Sequence, residues 1–383
     1  MNTKTPIAHL FLTLNIGGME KVGIDLIEHL DSDLYENHVI CLKELGVLGE
    51  ALETRHKHKP IPGLKSIVSL DKPDGFRPSV LIPLIKYFII HRIRIVHTNN
   101  SAPHFWAGIA ATLCGIRVRV HTNHGRNADC TAKQMLLDRI SARLSKRVVF
   151  VSKDTAEKIM LTDHIVPDKI IIIPNGIDTT VFTPPEPTDH AKCRQLLNEL
   201  GISEGMRLIG SIARFSTDKD QVTLIRAFSK LVTTDSNLRL LLVGDGETKS
   251  ELEALTQELG ITGLVVFTGF RSDIINILRV LDIYVLPSHT EGLSISLLEA
   301  MAAERAVVAS DVGGNGEIIQ HNYNGLLVAE SDVEAMVSSL NSIMTDTCLA
   351  ERISKSARQT VLNSFSISAM AKLYQQLYIN LSA

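Results

Sequence analysis

Two glutamates stand eight positions apart in the segment HTEGLSISLLEAM, residues 289–301. Glu291 precedes a run of small and apolar residues, and Glu299 falls within the apolar stretch that follows. On a helix, eight residues advance by about 12 Å, which is too far for two carboxylates to share a proton or flank one glycosidic bond. The pair instead suits hydroxyl groups at opposite ends of one elongated ligand. The alternative for Glu299 is a structural salt bridge, since a buried unpaired carboxylate is costly.

Two cations follow the first strand that we expect in the second half of the chain. Arg214 and Lys219 lie five residues apart within ARFSTDKD. An arginine fork and a lysine point charge on one strand-to-helix loop suit a pyrophosphate group. The alternative is a solvated polar loop.

Glycines and one aromatic residue follow other expected strands. Gly17 and Gly18 open a helix, where backbone amides bind phosphate, although the dinucleotide fingerprint GxGxxG is not met. Gly244, in VGDGE, favours close approach of a ligand or a plain left-handed turn. Phe270, in FTGF, is expected either beside a planar base or in the core.

One histidine ends an expected strand. His124 stands in HTNHGRN, where it is either structural or a ligand or proton-handling group. The pair Asp31 and Asp33 resembles a divalent-cation motif, but it follows a surface helix, so a solvated loop is the expectation.

Composition indicates a globular chain of more than one domain. The 383 residues include 45% hydrophobic and 21% charged residues, with a net charge of −3. Residues 1–185 hold 23 Lys and Arg against 18 Asp and Glu, whereas the remainder holds 16 against 24. No uncharged stretch reaches the length of a spanning helix, and the five scattered cysteines show no disulfide or metal-ligand spacing. We therefore expect a cytoplasmic protein, whose more basic half faces anions such as phosphates or lipids.

Short apolar runs alternate with amphipathic runs of helix length, which predicts strand-helix units around parallel sheets. Residues 179–192 carry three prolines without periodicity and indicate a linker between two such series. The predicted fold class is α/β, with two doubly wound Rossmann-like domains facing a central cleft. We place the domains at residues 1–185 and 186–366, with a helix at 367–383 that crosses back to the first domain. Strands are predicted at 7–14, 38–42, 67–70, 93–99, 117–123, 147–152 and 169–178, then at 207–214, 238–246, 264–270, 283–287, 306–310 and 325–328.

Taken together, these segments resemble the large retaining glycosyltransferase family 4, which has the GT-B fold. The resemblance covers nearly the whole chain, and its most specific segment is HTEGLSISLLEAM with its flanking strands, which matches the family's E-x7-E motif. The beginning of the chain is also similar to bacterial sugar transferases of exopolysaccharide systems. Two departures affect local loop shape: Glu304, Arg305 and Ala306 replace a usual Gly-x-Pro, and Gly316 replaces a common proline.

The resemblance implies a role for each candidate residue. Glu291, assisted by the amides of Gly292 and Leu293, would contact the donor sugar, and Glu299 would hold the ribose. Arg214 and Lys219 would bind the diphosphate, while Gly244 and Phe270 would lie beside the donor, Phe270 at the base. Gly17 and Gly18 would face the donor phosphate and the acceptor, and His124 would lie near C6 of the sugar. The scheme requires no cofactor and no metal, because the leaving phosphate itself helps to deprotonate the acceptor.

The predicted function is transfer of a hexose from a nucleotide sugar to a hydroxyl acceptor with retention, in bacterial polysaccharide or glycolipid synthesis. A UDP-sugar is the expected donor, with GDP-mannose as the alternative, and the acceptor is a glycan or a lipid-linked glycan. The alternatives are a GT-B-like epimerase or hydrolase and a non-catalytic nucleotide-sugar-binding protein. Helices expected at 81–92 and 133–147 mix apolar and basic residues, which is typical of peripheral membrane contact or of core packing. No nucleic acid partner is expected.

Overall fold

The computed structural model describes residues 4–99, 101–125 and 131–382 and divides the chain into two compact units. Unit 1 comprises Met1–Gly176 together with Ile367–Ala383, and unit 2 comprises Ile177–Ser366. The boundary predicted after residue 185 lies inside unit 2, a short way beyond this division. The predicted C-terminal helix groups with unit 1.

Unit 1 is built on a parallel sheet whose strand order is β3-β2-β1-β4-β5-β6-β7. Its strands are β1 Thr5–Phe11, β2 Tyr35–Cys41, β3 Leu64–Ser69, β4 Ile95–Thr98, β5 Val118–Asn123, β6 Arg147–Phe150 and β7 Ile170–Ile172. Its helices are α1 Gly18–His29, α2 Gly46–His58, α3 Leu81–Ile90, α4 Ser101–Leu113, α5 Ala132–Leu144, α6 Lys153–Asp163 and α15 Ile367–Ser382.

Unit 2 is built on a second parallel sheet, in the order β10-β9-β8-β11-β12-β13. Its strands are β8 Arg207–Ile212, β9 Leu238–Val243, β10 Val265–Phe267, β11 Ile283–Leu286, β12 Ala306–Ser310 and β13 Leu326–Val328. Its helices are α7 His190–Glu199, α8 Gln221–Leu231, α9 Lys249–Glu258, α10 Ile274–Val280, α11 Ile295–Ala302, α12 Asn315–Ile318, α13 Val333–Thr345 and α14 Thr347–Ser364.

Both sheets have cores on each face, which explains the nearly continuous apolar strands. In β9, the sequence LRLLLV is buried at every position except Arg239, because helices cover both faces of a parallel sheet. The strand order of each unit reverses once, between β1 and β4 in unit 1 and between β8 and β11 in unit 2. The predicted doubly wound α/β architecture is therefore confirmed.

The segment that leads into unit 2 differs in detail from the sequence prediction. The strand predicted at 169–178 ends at Ile172, two residues before Pro174, which lacks the amide that a sheet ladder needs. Side-chain hydrogen bonds attach the aperiodic segment at 179–192 to unit 2. Arg279 donates to Thr183 Oγ1 at 3.0 Å and to Asp189 Oδ1 at 2.9 Å.

Candidate active site

The strand reversal in unit 2 brings together two residues that are 72 positions apart in sequence. Loops at the carboxyl ends of β8 and β11 diverge there, and such a crevice is where doubly wound sheets bind ligands. Lys219 lies in the loop after β8, and Glu291 lies in the loop after β11. Lys219 Nζ donates to Glu291 Oε1 at 2.6 Å. The topology therefore forms a cation–carboxylate pair at the carboxyl ends of the strands, where doubly wound sheets bind ligands.

Ser288 holds the same carboxylate oxygen from a second direction. Its hydroxyl donates to Glu291 Oε1 at 2.7 Å, and its side chain is fully buried. The Glu291 side chain is 7% exposed and the Lys219 side chain is 26% exposed. The pair is thus largely removed from water. Its charges are therefore screened less than charges on an open surface.

Contacts between the flanking loops fix their relative position. The backbone N–H of His289 donates to the Asp218 carbonyl at 2.8 Å. The His289 ring contacts Glu330 Oε1 at 2.9 Å and lies 3.8 Å from Asp220 Oδ2. Asp220 also caps α8, because its carboxylate accepts from the Thr223 amide at 3.3 Å. The Lys219 and Glu291 loops are therefore joined by backbone and side-chain contacts.

Gly313 permits a close backbone approach to Glu291. It adopts a φ of +54°, and a Cβ atom there would lie 1.8 Å from the Glu291 carbonyl oxygen. The next residue, Gly314, donates its N–H to the Gly292 carbonyl at 3.1 Å. A side chain at position 313 would displace the loop that carries Glu291.

Glu299 lies on α11 and is 5% exposed. The charges of Glu291 and Glu299 both contribute to the raised pKa of the Tyr284 hydroxyl, after burial as the larger cause. Both carboxylates therefore act on one buried residue of β11. Between them, Gly292 and Leu293 precede Ser294, which caps α11 by accepting from the Leu297 amide at 3.4 Å.

The remaining candidates of unit 2 lie in loops at the carboxyl ends of strands. Arg214 follows β8 and has an exposed side chain, while its carbonyl accepts from Gln221 Nε2 at 3.0 Å. Gly244 has a φ of +142°, and a Cβ atom there would lie 2.0 Å from the Ala213 carbonyl oxygen, so the close approach to the Arg214 loop requires glycine. Phe270 is 55% exposed, which excludes the interpretation of this residue as core.

Gly17 and Gly18 begin α1 in unit 1. Gly17 is the N-cap residue, with an extended φ of −170° that any residue can adopt, and no side chain caps this helix end. A Cβ atom at Gly17 would meet the Glu20 carboxylate, whose pKa is raised by burial. The helix start therefore presents backbone amides with one half-buried carboxyl group nearby.

His124 lies just beyond β5 in unit 1. Both of its ring nitrogens are buried and, within the described ranges, have no hydrogen-bond partner. Burial lowers the pKa of His124 to about 4, so the imidazole is neutral at physiological pH. Two residues earlier, Thr122 Oγ1 contacts Tyr374 of α15 at 2.8 Å and His97 at 2.7 Å. Arg126, which neighbours His124 in the sequence motif, lies outside the described residues.

Sequence reasoning missed Ser288, His289 and Gly313 as parts of this site. Ser288 and His289 lie two to three residues before Glu291, and Gly313 begins a glycine pair after β12. These residues are visible in the sequence, but their part in the site depends on which loops lie next to each other in the fold.

Asp31 and Asp33 lie in the turn before β2, where the Asp31 carboxylate accepts from the Asp33 amide at 2.8 Å.

The described ranges contain no group of three or more His, Cys, Asp or Glu side chains arranged to hold a metal ion. They also contain no helix that is long and apolar enough to cross a membrane.

Two family models match the chain. "Glycosyltransferase Family 4" matches residues 16–181, and "Glycosyl transferases group 1" matches residues 194–360. The second match includes Arg214, Lys219, Glu291 and Glu299.

Curated proteins and solved structures resemble the chain over nearly its full length. UDP-Gal:alpha-D-GlcNAc-diphosphoundecaprenol alpha-1,3-galactosyltransferase of Escherichia coli is 27% identical, over 99% of this chain and 98% of that protein. N-acetyl-alpha-D-glucosaminyl L-malate synthase of Bacillus anthracis is 28% identical, over 95% of this chain and 94% of that protein. The crystal structure of Anabaena Alr3699/HepE in complex with UDP and glucose has a TM-score of 0.83 at 21% identity, covering 98% of this chain and 99% of that chain. The similarity to such structures confirms the predicted GT-B fold.

Proposed function

The chain belongs to the glycosyltransferases, with a Family 4 domain followed by a group 1 domain, and we propose that it transfers a hexose from a UDP-sugar with retention of configuration. The acceptor is a hydroxyl group of a glycan, carried on a lipid or a polysaccharide. Residues 1–185 bind the acceptor and residues 186–366 bind the donor, with the helix at 367–383 completing the first domain.

The contact between Lys219 and Glu291 carries this proposal. It lies at the strand reversal of the group 1 domain, beside the fully buried Ser288. A lysine beside a carboxylate suits a ligand that joins a diphosphate to a polyhydroxylated ring, because the ammonium attracts phosphate and the carboxylate accepts from hydroxyls.

Each donor group then has a partner. Lys219 and Arg214 bind the diphosphate, and the exposed ring of Phe270 stacks beside the base next to the Gly244 turn. Glu291 and the amides of Gly292 and Leu293 bind the sugar. Glu299 binds the ribose, which gives a buried carboxylate in an apolar helix its function.

The remaining candidate residues lie in unit 1. The first amides of α1, at Gly17 and Gly18, bind the donor phosphate and the acceptor. His124 hydrogen-bonds the sugar near C6, which would satisfy ring nitrogens that are buried without a partner among the described residues.

Transfer breaks the bond between C1 of the sugar and the diphosphate oxygen and forms a bond from C1 to the acceptor oxygen on the same face. The acceptor proton passes to the leaving diphosphate. Lys219 and Arg214 stabilise the charge that develops on this group, so the catalysis is electrostatic. The scheme uses no metal ion.

The E. coli relative supports the choice of donor and acceptor, because its name specifies a UDP-sugar and a diphosphoundecaprenol-linked sugar. GDP-mannose is the alternative donor. A lipid-linked acceptor would place the enzyme at the cytoplasmic membrane face. The outer face of α3 suits such contact, since Ile82, Ile89 and Ile90 are 72%, 63% and 61% exposed beside Lys86.

A panel of nucleotide sugars, with and without lipid-linked or polysaccharide acceptors, tests the function by nucleotide release. We expect acceptor-dependent release that Glu291→Ala abolishes and Glu334→Ala leaves unchanged, because Glu334 pairs with Lys230 between α13 and α8. Release without an acceptor would support a hydrolase. Unimpaired release by Glu291→Ala would overturn the role of that residue. For the membrane contact, Ile82→Asp should reduce sedimentation with anionic vesicles without affecting transfer to a water-soluble acceptor.

A further inference from the structure

We infer that the pair formed by Lys219 and Glu291 makes the donor site discriminate against the bare nucleoside diphosphate, which is the product left after transfer. The inference rests on the proposed function, since it assumes that Lys219 faces the diphosphate. It assigns the pair a regulatory effect in addition to substrate binding.

The geometry gives the carboxylate a direct effect on the cation. Glu291 Oε1 lies 2.6 Å from Lys219 Nζ, and the carboxylate is almost completely buried. Ser288 donates to the same oxygen at 2.7 Å and so fixes the carboxylate beside the ammonium group. Part of the positive potential of Lys219 is therefore neutralised within the protein.

The pair weakens the binding of a bare diphosphate. It must share Lys219 with Glu291, and its own negative charge lies beside the carboxylate. The intact donor carries the same diphosphate, but its sugar hydroxyls donate to Glu291 and offset the repulsion. After transfer these hydroxyls are gone, and the terminal phosphate gains a negative charge once the proton taken from the acceptor has passed to solvent. The pair therefore favours release of the product over release of the donor.

Two other titratable side chains near the pair, Asp220 and His289, belong to fixed contacts. Asp220 caps α8 and accepts from Thr223 Oγ1 at 2.7 Å, and His289 lies between Asp220 and Glu330. Glu291 is the carboxylate in direct contact with Lys219. It is therefore the residue to change.

The test compares the dissociation constants of the nucleoside diphosphate and of the intact donor by isothermal titration calorimetry. The ligands are UDP or GDP and the corresponding sugar nucleotide, whichever the panel identifies. In Glu291→Gln, which keeps the side-chain shape, we expect the nucleoside diphosphate to bind roughly threefold to tenfold more tightly. The sugar nucleotide should bind more weakly, because the amide is a poorer acceptor for its hydroxyls.

Two further variants separate the explanations. Glu334→Gln removes a carboxylate from the Lys230 pair in the same unit and should change neither constant. In a Lys219→Met background, the gain from Glu291→Gln should shrink, because only the direct repulsion between the carboxylate and the diphosphate is left to remove. A gain that persists there in full, or a nucleoside diphosphate that binds Glu291→Gln no more tightly than wild type, overturns the inference. Wild-type protein that binds neither ligand overturns the proposed function itself.

Discussion

Replacing Gly313 by alanine should disable the site through the backbone of Glu291 rather than through any side chain that binds a ligand. The new Cβ atom would lie 1.8 Å from the Glu291 carbonyl oxygen, whereas ordinary contact begins at 3.4 Å, so one loop must move by about 1.6 Å. A misplacement of about 1 Å in an active site costs on the order of 100-fold in rate. The left-handed conformation adds a stability cost of about 1 kcal/mol for alanine. We therefore expect kcat/KM for transfer to fall by roughly 100-fold.

Gly260 offers a matched control for the backbone cost. It follows α9 with a φ of +68°, and a Cβ atom there meets nothing within 4 Å. Gly260→Ala should lose stability, by about 1 kcal/mol in chemical denaturation, and keep its activity. Steady-state kinetics with the donor found in the panel, and denaturation of both variants, make the comparison. Activity of Gly313→Ala within about threefold of Gly260→Ala would refute the displacement argument.

Three other predictions concern stability. Glu304 follows α11 with a φ of +60°, so Glu304→Gly should raise the free energy of unfolding by about 1 kcal/mol, and an unchanged or lower value would contradict the backbone argument. Burial lowers the pKa of His9 to about 4 and of His121 to about 3, so the unfolded chain binds more protons than the folded protein below about pH 6.5. The contribution of each histidine to the free energy of unfolding is complete above about pH 6.5 and is lost as the pH falls toward its folded pKa. Denaturation at a series of pH values would detect this loss as a slope of about 1.4 kcal/mol per pH unit for each histidine. Tyr374→Phe, which removes a buried 2.8 Å hydrogen bond, should cost about 1–2 kcal/mol, whereas Tyr35→Phe, which removes a 3.4 Å contact to the same helix, should cost much less; equal losses would contradict this ranking.

The architecture was predictable because its signals are periodic. Buried parallel strands read as apolar runs, and the helices between them are amphipathic, so two doubly wound halves followed from the pattern alone. The end of β7 was harder to predict, because four consecutive isoleucines favour a strand more strongly than Pro174 marks its end. The local sequence therefore predicts that a strand is present better than it predicts the residue at which the strand ends.

The site was predictable in composition but not in contacts. Glu291 and Lys219 stand out as residues, yet their 2.6 Å contact depends on β8 and β11 being neighbours, which no local pattern states. Gly313 illustrates the same limit, since its need for glycine arises from the carbonyl of a residue in another loop. The sequence allows both a core and a ligand-binding position for Phe270, and its exposed ring excludes the core.

The grouping of α15 with unit 1 has a consequence for synthesis of the chain. Unit 2 is continuous from Ile177 to Ser366, so it can fold as soon as it leaves the ribosome. Unit 1 must wait, because Tyr374 and Tyr378, which hydrogen-bond Thr122 and His97, are made after all of unit 2. The first unit to be translated is therefore the last to be completed, and its nascent sheet has to remain soluble until then.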